Sequence, residues 1–284
     1  MKNKLSAYFQ LARFHQPAGW LLLMWPCWFA IILVSPESEV IKFLLLFMLG
    51  AISMRSAGCV INDMWDKDID SQVERTKNRP LANGTLSITE ASVLLFLLLN
   101  IGLIVFWQLN YDAKLLSLGG FALAIIYPLM KRFFPYPQLF LGIAFNSGAI
   151  IAFMAASNKI DISTVFLYVG CVFWTLGYDT IYAHQDKKDD LKAKVKSSAI
   201  SFGKFNKPII FICFTLTYSF ICAAAYMNNL HNIAAFLAPA HVHMTYSLIR
   251  VKLDNPTDCM KKFKSIAYNT GFLIFIGLCL AKIS

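Results

Sequence analysis

The chain has 284 residues, 57% of them hydrophobic, a mean hydropathy of +0.56 and a formal net charge of +10. Apolar runs of about 20 residues recur from end to end, which excludes an ordinary soluble domain and describes an all-α polytopic membrane protein. The basic balance does not call for nucleic acid, because the basic residues sort by side of the membrane.

In chain order, the segment MKNKLSAYFQLARFHQPAG is basic and amphipathic. No small-residue cleavage site follows it, so it is not expected to be a removable leader. Nine spans are predicted, at roughly 18–35, 40–61, 90–108, 113–130, 138–157, 162–181, 208–227, 232–250 and 265–282. The first is short and interrupted by Pro26. On one side the connections are short: SPESE, LNYD, SNKID and NNLHN. On the other, two long charged connections follow the second and sixth spans. With the N-terminus in the cytoplasm, 21 of the 26 Lys and Arg fall on the cytoplasmic side, and Arg55 lies inside a span. That is a strong orientation signal. Residues 1–284 read as a single membrane-embedded domain, and the spacing of its two acid-bearing connections suggests a parallel pseudo-repeat. The seven Cys show no metal spacing and are expected to form no disulfides. His241 and His243 turn to different faces of a helix and are expected to pack.

The first acid cluster is NDMWDKDID, residues 62–70. On a continuous helix Asn62, Asp63, Asp66 and Asp70 fall within about 100° of arc, with Asp68 pointing away. The second is YDTIYAHQDKKDD, where Asp179, Asp186 and Asp190 would form a stripe about 40° wide on a continuous helix. Carboxylates this close repel unless a cation lies between them. Oxygen-only donors favour Mg²⁺ or Mn²⁺ over zinc, and Mg²⁺ completes its shell with water and substrate phosphates. Two such clusters facing one another suggest two ions gripping one diphosphate. Arg75, Lys77 and Arg79 follow the first cluster and suit diphosphate oxygens. Arg55 lies seven residues before Asn62 on the same face, and an intramembrane Arg is a functional candidate.

These stretches resemble the UbiA superfamily of intramembrane prenyltransferases. NDMWDKDID fits its NDxxDxxxD pattern, and DKKDD fits its DxxxD pattern. HQPAGWLLLMWPCW, RSAGCVINDMWDKDIDSQVERTKNRPLANG, YPLMKRFFPYPQLFLGIAFNSGAIIAFMA and YDTIYAHQDKKDDLKAKVKSSAISFGK look like the branch that acts on 4-hydroxybenzoate. The resemblance implies about nine helices around a central cavity open to lipid, and Mg²⁺ as cofactor. By motif position it assigns metal and diphosphate to Asn62, Asp63, Asp66, Asp70, Asp186 and Asp190, with Asp66, Asp70, Asp186 and Asp190 as the catalytic set. It implies that Arg132, in YPLMKR, approaches the carboxylate of the aromatic acid. Lys131, Tyr127, Asp179 and Tyr182 lie in the same matched stretches and complete the substrate-binding candidates.

The implied reaction transfers a polyprenyl group from polyprenyl diphosphate to the ring carbon ortho to the hydroxyl of 4-hydroxybenzoate, an early membrane step of ubiquinone biosynthesis. The expected setting is a bacterial inner membrane with the site on the cytoplasmic side, membrane lipid as surroundings, no nucleic acid and no required protein partner. The same chemistry on a naphthoate, homogentisate, tetrapyrrole or phosphoribose is a competing reading. A cation transporter is another, but all 16 acids lie at predicted span ends or in connections rather than near the midplane.

Overall fold

Each predicted apolar stretch is helical in the structure, a computed structural model that describes residues 2–74, 76–192 and 195–284, with side chains except at 2–3, 128–129 and 131–133. All regular elements among these residues are helices. Six stretches of them are long and apolar enough to cross a membrane: Glu37–Trp65, Ile88–Trp107, Pro137–Ser157, Ile162–Ala183, Gly203–Met227 and Pro256–Ile283. The chain is an integral membrane protein. Its residues form two compact units, Met1–Met24 with Leu45–Leu109, and Trp25–Leu44 with Asn110–Ser284.

The first unit contains α1 (Lys2–Leu11), the start of α2 (Ala18–Val34), most of α3 (Glu37–Trp65), α4 (Lys67–Asp70) and α5 (Ile88–Trp107). Helix α5 begins at a capping box. The Ser87 hydroxyl accepts from the Glu90 amide, and the Glu90 carboxylate accepts from the Ser87 amide. Lys4 Nζ reaches the same carboxylate at 2.7 Å. Below that contact Ala7 and Leu11 of α1, Ala57 and Val60 of α3 and Ala91 and Leu98 of α5 share an apolar cluster with Leu81 and Leu86. The last two belong to the basic connection after α4. Burying each stabilises by about 2 kcal/mol, enough to hold that connection down by its apolar side.

The second unit contains α6 (Tyr111–Phe133), α7 (Pro137–Phe145), α8 (Ser147–Ser157), α9 (Ile162–Ala183), α10 (Lys187–Lys192), α11 (Ser198–Ser201), α12 (Asn206–Met227), α13 (Ile233–Arg250), α14 (Pro256–Ser265) and α15 (Gly271–Ile283). Helix α9 is its centre, with Trp174, Tyr178 and Ile181 buried. Helix α12 lies against it closely enough that a Cβ on Gly177 would come within 2.5 Å of the Phe214 ring.

The structure departs from a set of simple spans in two places. The stretch predicted at 138–157 is two helices, α7 and α8, broken at Asn146, whose amide donates to the Gly142 carbonyl and to Thr175 Oγ1 at 2.7 and 2.8 Å. The last stretch starts nine residues early, at Pro256, and a widened turn over Ile266–Thr270 joins α14 to α15. His243 braces that turn, with its ring nitrogens 2.7 Å from Thr270 Oγ1 and 3.1 Å from Ser265 Oγ. His241 goes elsewhere, its ring 5.1 Å from that of Tyr218. Lys282 caps the end of α2 through the Ile32 and Ser35 carbonyls, at 2.7 and 3.1 Å.

Candidate active site

The first acid cluster begins on the last turn of α3. The helix stops at Trp65, Asp66 sits in a bend with φ −92° and ψ 6°, and α4 resumes at Lys67. Helical hydrogen bonding carries through the bend, from the Asp66 amide to the Asn62 carbonyl at 2.9 Å and from the Asp70 amide to the Asp66 carbonyl at 2.8 Å. The acids do not share one environment, as a plain helical arc suggests. Asp63 and Asp70 are 1% and 7% exposed, Asp66 is half-buried, and Asn62 and Asp68 are open.

Two arginines account for the difference. Arg13 Nη2 lies 2.8 Å from both oxygens of Asp63. Arg79 Nη1 bridges the pair, 2.6 Å from Asp70 and 3.1 Å from Asp63. Buried carboxylates require such partners, and these bonds are charge-assisted. Arg79 reaches them because Leu81 and Leu86 anchor its connection and because the Thr76 hydroxyl donates to the Asp70 carbonyl at 3.0 Å. Arg13 reaches Asp63 from a left-handed residue with φ +58°, and its other nitrogen donates to the Gln10 carbonyl at 2.8 Å. Sequence reasoning counted Arg13 only as a topological charge. Its position two residues before the matched stretch HQPAGW is the signal that was available.

Arg55 lies half-buried on α3 and forms no ion pair among the described residues. Its guanidinium lies beside Gly19, where a Cβ would come within 2.8 Å of Nε. Lys77 pairs with Glu74 at 2.8 Å on the exposed surface, a contact of little energetic weight. Arg75 lies outside the described residues, as do the side chains of Lys131 and Arg132, whose backbone closes α6.

The second cluster is not one helical stripe. Helix α9 carries Asp179 and ends at Ala183, a turn covers 184–186, and α10 starts at Lys187. The arc computed for a continuous helix therefore does not apply. Instead the Asp186 carbonyl accepts from the amides of Asp189 and Asp190, at 2.9 and 2.8 Å, and opens α10. Asp179, Asp186 and Asp190 are half-buried. Tyr182 is half-buried against Phe263, ring centroids 4.6 Å apart, and Tyr127 is half-buried on α6.

Among the described residues no three carboxylate, imidazole or thiol side chains are gathered into a preformed cage. The donors at hand, Asn62 and Asp66 in one unit and Asp186 and Asp190 in the other, are all oxygens. Each pair by its chemistry fits a hard divalent ion that keeps its waters and takes further oxygens from a phosphate, and neither fits a structural zinc.

Comparison with known proteins gives the chemistry a family. A sequence profile of the UbiA prenyltransferase family matches residues 23–276. The chain is 43% identical over 281 residues to "4-hydroxybenzoate polyprenyltransferase, mitochondrial" of Drosophila pseudoobscura pseudoobscura, covering 97% of this chain and 70% of that protein. It is 40% identical over 280 residues to "4-hydroxybenzoate octaprenyltransferase" of Pseudoalteromonas translucida (strain TAC 125), covering 97% and 94%. The fold is shared with a UbiA homologue from Aeropyrum pernix K1, TM-score 0.73 at 23% identity over 92% of this chain and 97% of that one. It is also shared with a UbiA homologue from Archaeoglobus fulgidus bound to GPP and Mg²⁺, TM-score 0.66 at 17% identity over 96% and 99%. With two acid motifs at helix ends, a family profile spanning most of its length and relatives above 40% identity, the chain belongs to the UbiA prenyltransferase family.

Proposed function

We propose that the chain catalyses Mg²⁺-dependent transfer of a polyprenyl group from polyprenyl diphosphate to the carbon ortho to the hydroxyl of 4-hydroxybenzoate, in ubiquinone biosynthesis. The observation that carries this reading is the identity of 40–43% over 97% of the chain to proteins named for that reaction. The oxygen-only donors of the two acid motifs support the metal, as does the Mg²⁺ and GPP in the Archaeoglobus relative.

In this reading Asn62, Asp66, Asp186 and Asp190 hold the metal, which when bound neutralises charge on the departing diphosphate. Asp63 and Asp70 belong to the same motif, but their buried side chains act through Arg13 and Arg79, fixing the bend that presents Asp66. Arg79, with Arg75 and Lys77 on its connection, offers positive charge to the diphosphate oxygens. The allylic C–O bond breaks with its electron pair leaving on the diphosphate, a C–C bond forms to the ring, and the ring proton is released. Preorganised charge of this kind is worth several kcal/mol in an active site. Arg132 and the half-buried Arg55 are the cations proposed for the carboxylate of the aromatic acid, where an Arg fork binds directionally. Tyr127, Lys131, Asp179 and Tyr182 complete the proposed substrate lining. An apolar, lipid-bounded setting keeps water from the reactive allyl group.

The distribution of Lys and Arg supports a cytoplasmic N-terminus and nine spans, and a bacterial inner membrane is the setting proposed for them. Reporter fusions in the 66–86 and 184–206 connections should then both read cytoplasmic. The activity is tested by mass spectrometry of products formed by the purified protein with polyprenyl diphosphate, Mg²⁺ and a mixture of 4-hydroxybenzoate, 1,4-dihydroxy-2-naphthoate and homogentisate. The expected product is the prenylated 4-hydroxybenzoate. Exclusive prenylation of another acceptor overturns the assignment and leaves the family intact.

A further inference from the structure

Beside the second acid motif, the second unit contains a cavity of about 710 Å³ that is lined by none of the residues proposed for the metal or the substrates. Its walls are the turn after α9, the start of α12 and the connection from α13 to α14. Four lysines line it, Lys187, Lys204, Lys207 and Lys252, against one acid, Asp254. Lys204, Lys207 and Lys252 are exposed, so their charge is available at the rim.

Two deeply buried polar side chains belong to the same lining. His184 is 6% exposed and Asn206 is 3% exposed. Neither ring nitrogen of His184 makes a well-formed hydrogen bond, although the Asn206 side chain and the Leu253 backbone lie near the ring. The Asn206 amide nitrogen is committed to the Ala199 and Gly203 carbonyls, at 3.1 and 2.7 Å, while its oxygen, near the His184 ring, makes no well-formed hydrogen bond. Buried polar atoms without partners are costly and uncommon, and here they line a cationic cavity. They suit a ligand that offers both acceptor oxygens and a hydroxyl.

The surroundings match a membrane interface. Phe205 and Ile249, exposed and apolar, stand next to Lys204 and Arg250 in sequence. A neighbouring cavity shares Lys252 and Asn255 and adds Arg250, Lys261 and Lys262, so the cationic lining continues. Arg250 and Lys262 both approach the ring of Tyr246, at 5.6 and 5.7 Å. Basic pockets at the ends of membrane helices favour phosphate headgroups.

We propose that this cavity is a phosphate-binding site, filled by the headgroup of an anionic phospholipid or by free phosphate, with His184 and Asn206 lining its interior and Lys204, Lys207 and Lys252 at its rim. Its lining includes His184 and Lys187 from the stretch of the second acid motif but none of the carboxylates proposed for the metal, which repel phosphate unless a metal intervenes.

The test is native mass spectrometry of the full-length protein in neutral detergent with EDTA, titrated with dioleoylphosphatidylglycerol or dioleoylphosphatidylcholine. The wild type should retain the anionic lipid and not the neutral one. Lys204→Gln/Lys252→Gln should weaken retention at least about tenfold. Lys42→Gln/Lys159→Gln, which removes equal charge elsewhere, should leave it unchanged. Displacement of the lipid by millimolar inorganic phosphate assigns the site to free phosphate, and resistance assigns it to the lipid headgroup. Equal retention by Lys204→Gln/Lys252→Gln and wild type, equal loss in both double variants, or no preference over the neutral lipid overturns the proposal. Unchanged melting temperatures establish that the variants are folded.

Discussion

The two acid motifs read alike in sequence and are built differently. In the first, two of the four acids are buried and tied to arginines from outside the motif, Arg13 and Arg79. In the second, the acids straddle a helix break, and the neighbouring charges are lysines within the motif, Lys187 and Lys188, and just after it, Lys192. The Lys192–Asp189 contact, at 3.9 Å on the surface, is a weak example. The first motif therefore has its bend held by a buried ionic network. The second takes its shape from backbone hydrogen bonds at the start of α10, Asp186 accepting from Asp189 and Asp190. A motif is thus a statement about which atoms are supplied, while the way they are held in place is local to each copy.

The largest expected effect concerns what the motifs have in common. Asp66→Asn and Asp186→Asn each remove one negative donor at constant shape and should each lower turnover at least about 100-fold while the protein still inserts in the membrane. Near-normal turnover of either at limiting Mg²⁺ removes that motif from the metal site. Asp68, exposed and tied locally only through its backbone carbonyl, is the control, and Asp68→Asn should be mild.

The next prediction separates the motifs by stability. Arg13→Ala strands the buried Asp63 carboxylate with Arg79 alone and should cost roughly 2–4 kcal/mol, seen as a lower melting temperature in detergent. Adding Asp63→Asn should return part of that loss, because the group left behind is no longer a charge. Lys187→Ala, beside the second motif, should change the melting temperature far less. Equal losses at the two motifs would erase the distinction drawn between them.

Specificity gives a sharper contrast. Arg79→Ala should raise the KM for the prenyl diphosphate more than that for 4-hydroxybenzoate, and Arg132→Ala should do the reverse. Gly19→Ala pushes a methyl group to within 2.8 Å of Arg55 Nε and should follow Arg132→Ala, with a raised KM for the aromatic acid and an unchanged melting temperature. If Arg132→Ala and Gly19→Ala perturb only the diphosphate, the carboxylate is held by a different group.

The smallest effect lies far from either motif, at the other end of α9. Asp161 caps that helix through the Ser163 and Thr164 amides, at 2.9 and 3.2 Å. Burial raises its pKa, but the hydrogen bonds from Ser163 and Thr164 outweigh burial and hold it below the ordinary carboxylate value. The cap is therefore fully present above the unfolded pKa and is lost as pH falls through the lower folded one. Asp161→Ala should cost about 1 kcal/mol at neutral pH, and the difference from wild type should shrink in strong acid.

Much of this architecture is legible without coordinates, because a membrane span must satisfy its backbone internally and so announces itself as a long apolar run. The helical class and the approximate limits of the spans were open to reading, and so were the two acid motifs that point to the family, because they stand out in a chain otherwise poor in acids. Two helix breaks were not. Asn146 interrupts its span through a side-chain bond to Thr175, 29 residues away, a partner that the local sequence does not indicate. The turn at 184–186 spoils a periodicity that the sequence displays perfectly well. The counter-ions were hidden for the same reason: Arg13 lies 50 residues from Asp63, and Arg79 reaches Asp63 and Asp70 only because Leu81 and Leu86 are buried among residues of α1, α3 and α5. Local composition records what each segment can become in a bilayer. Which charge neutralises which acid depends on where the chain returns, and that is decided by packing.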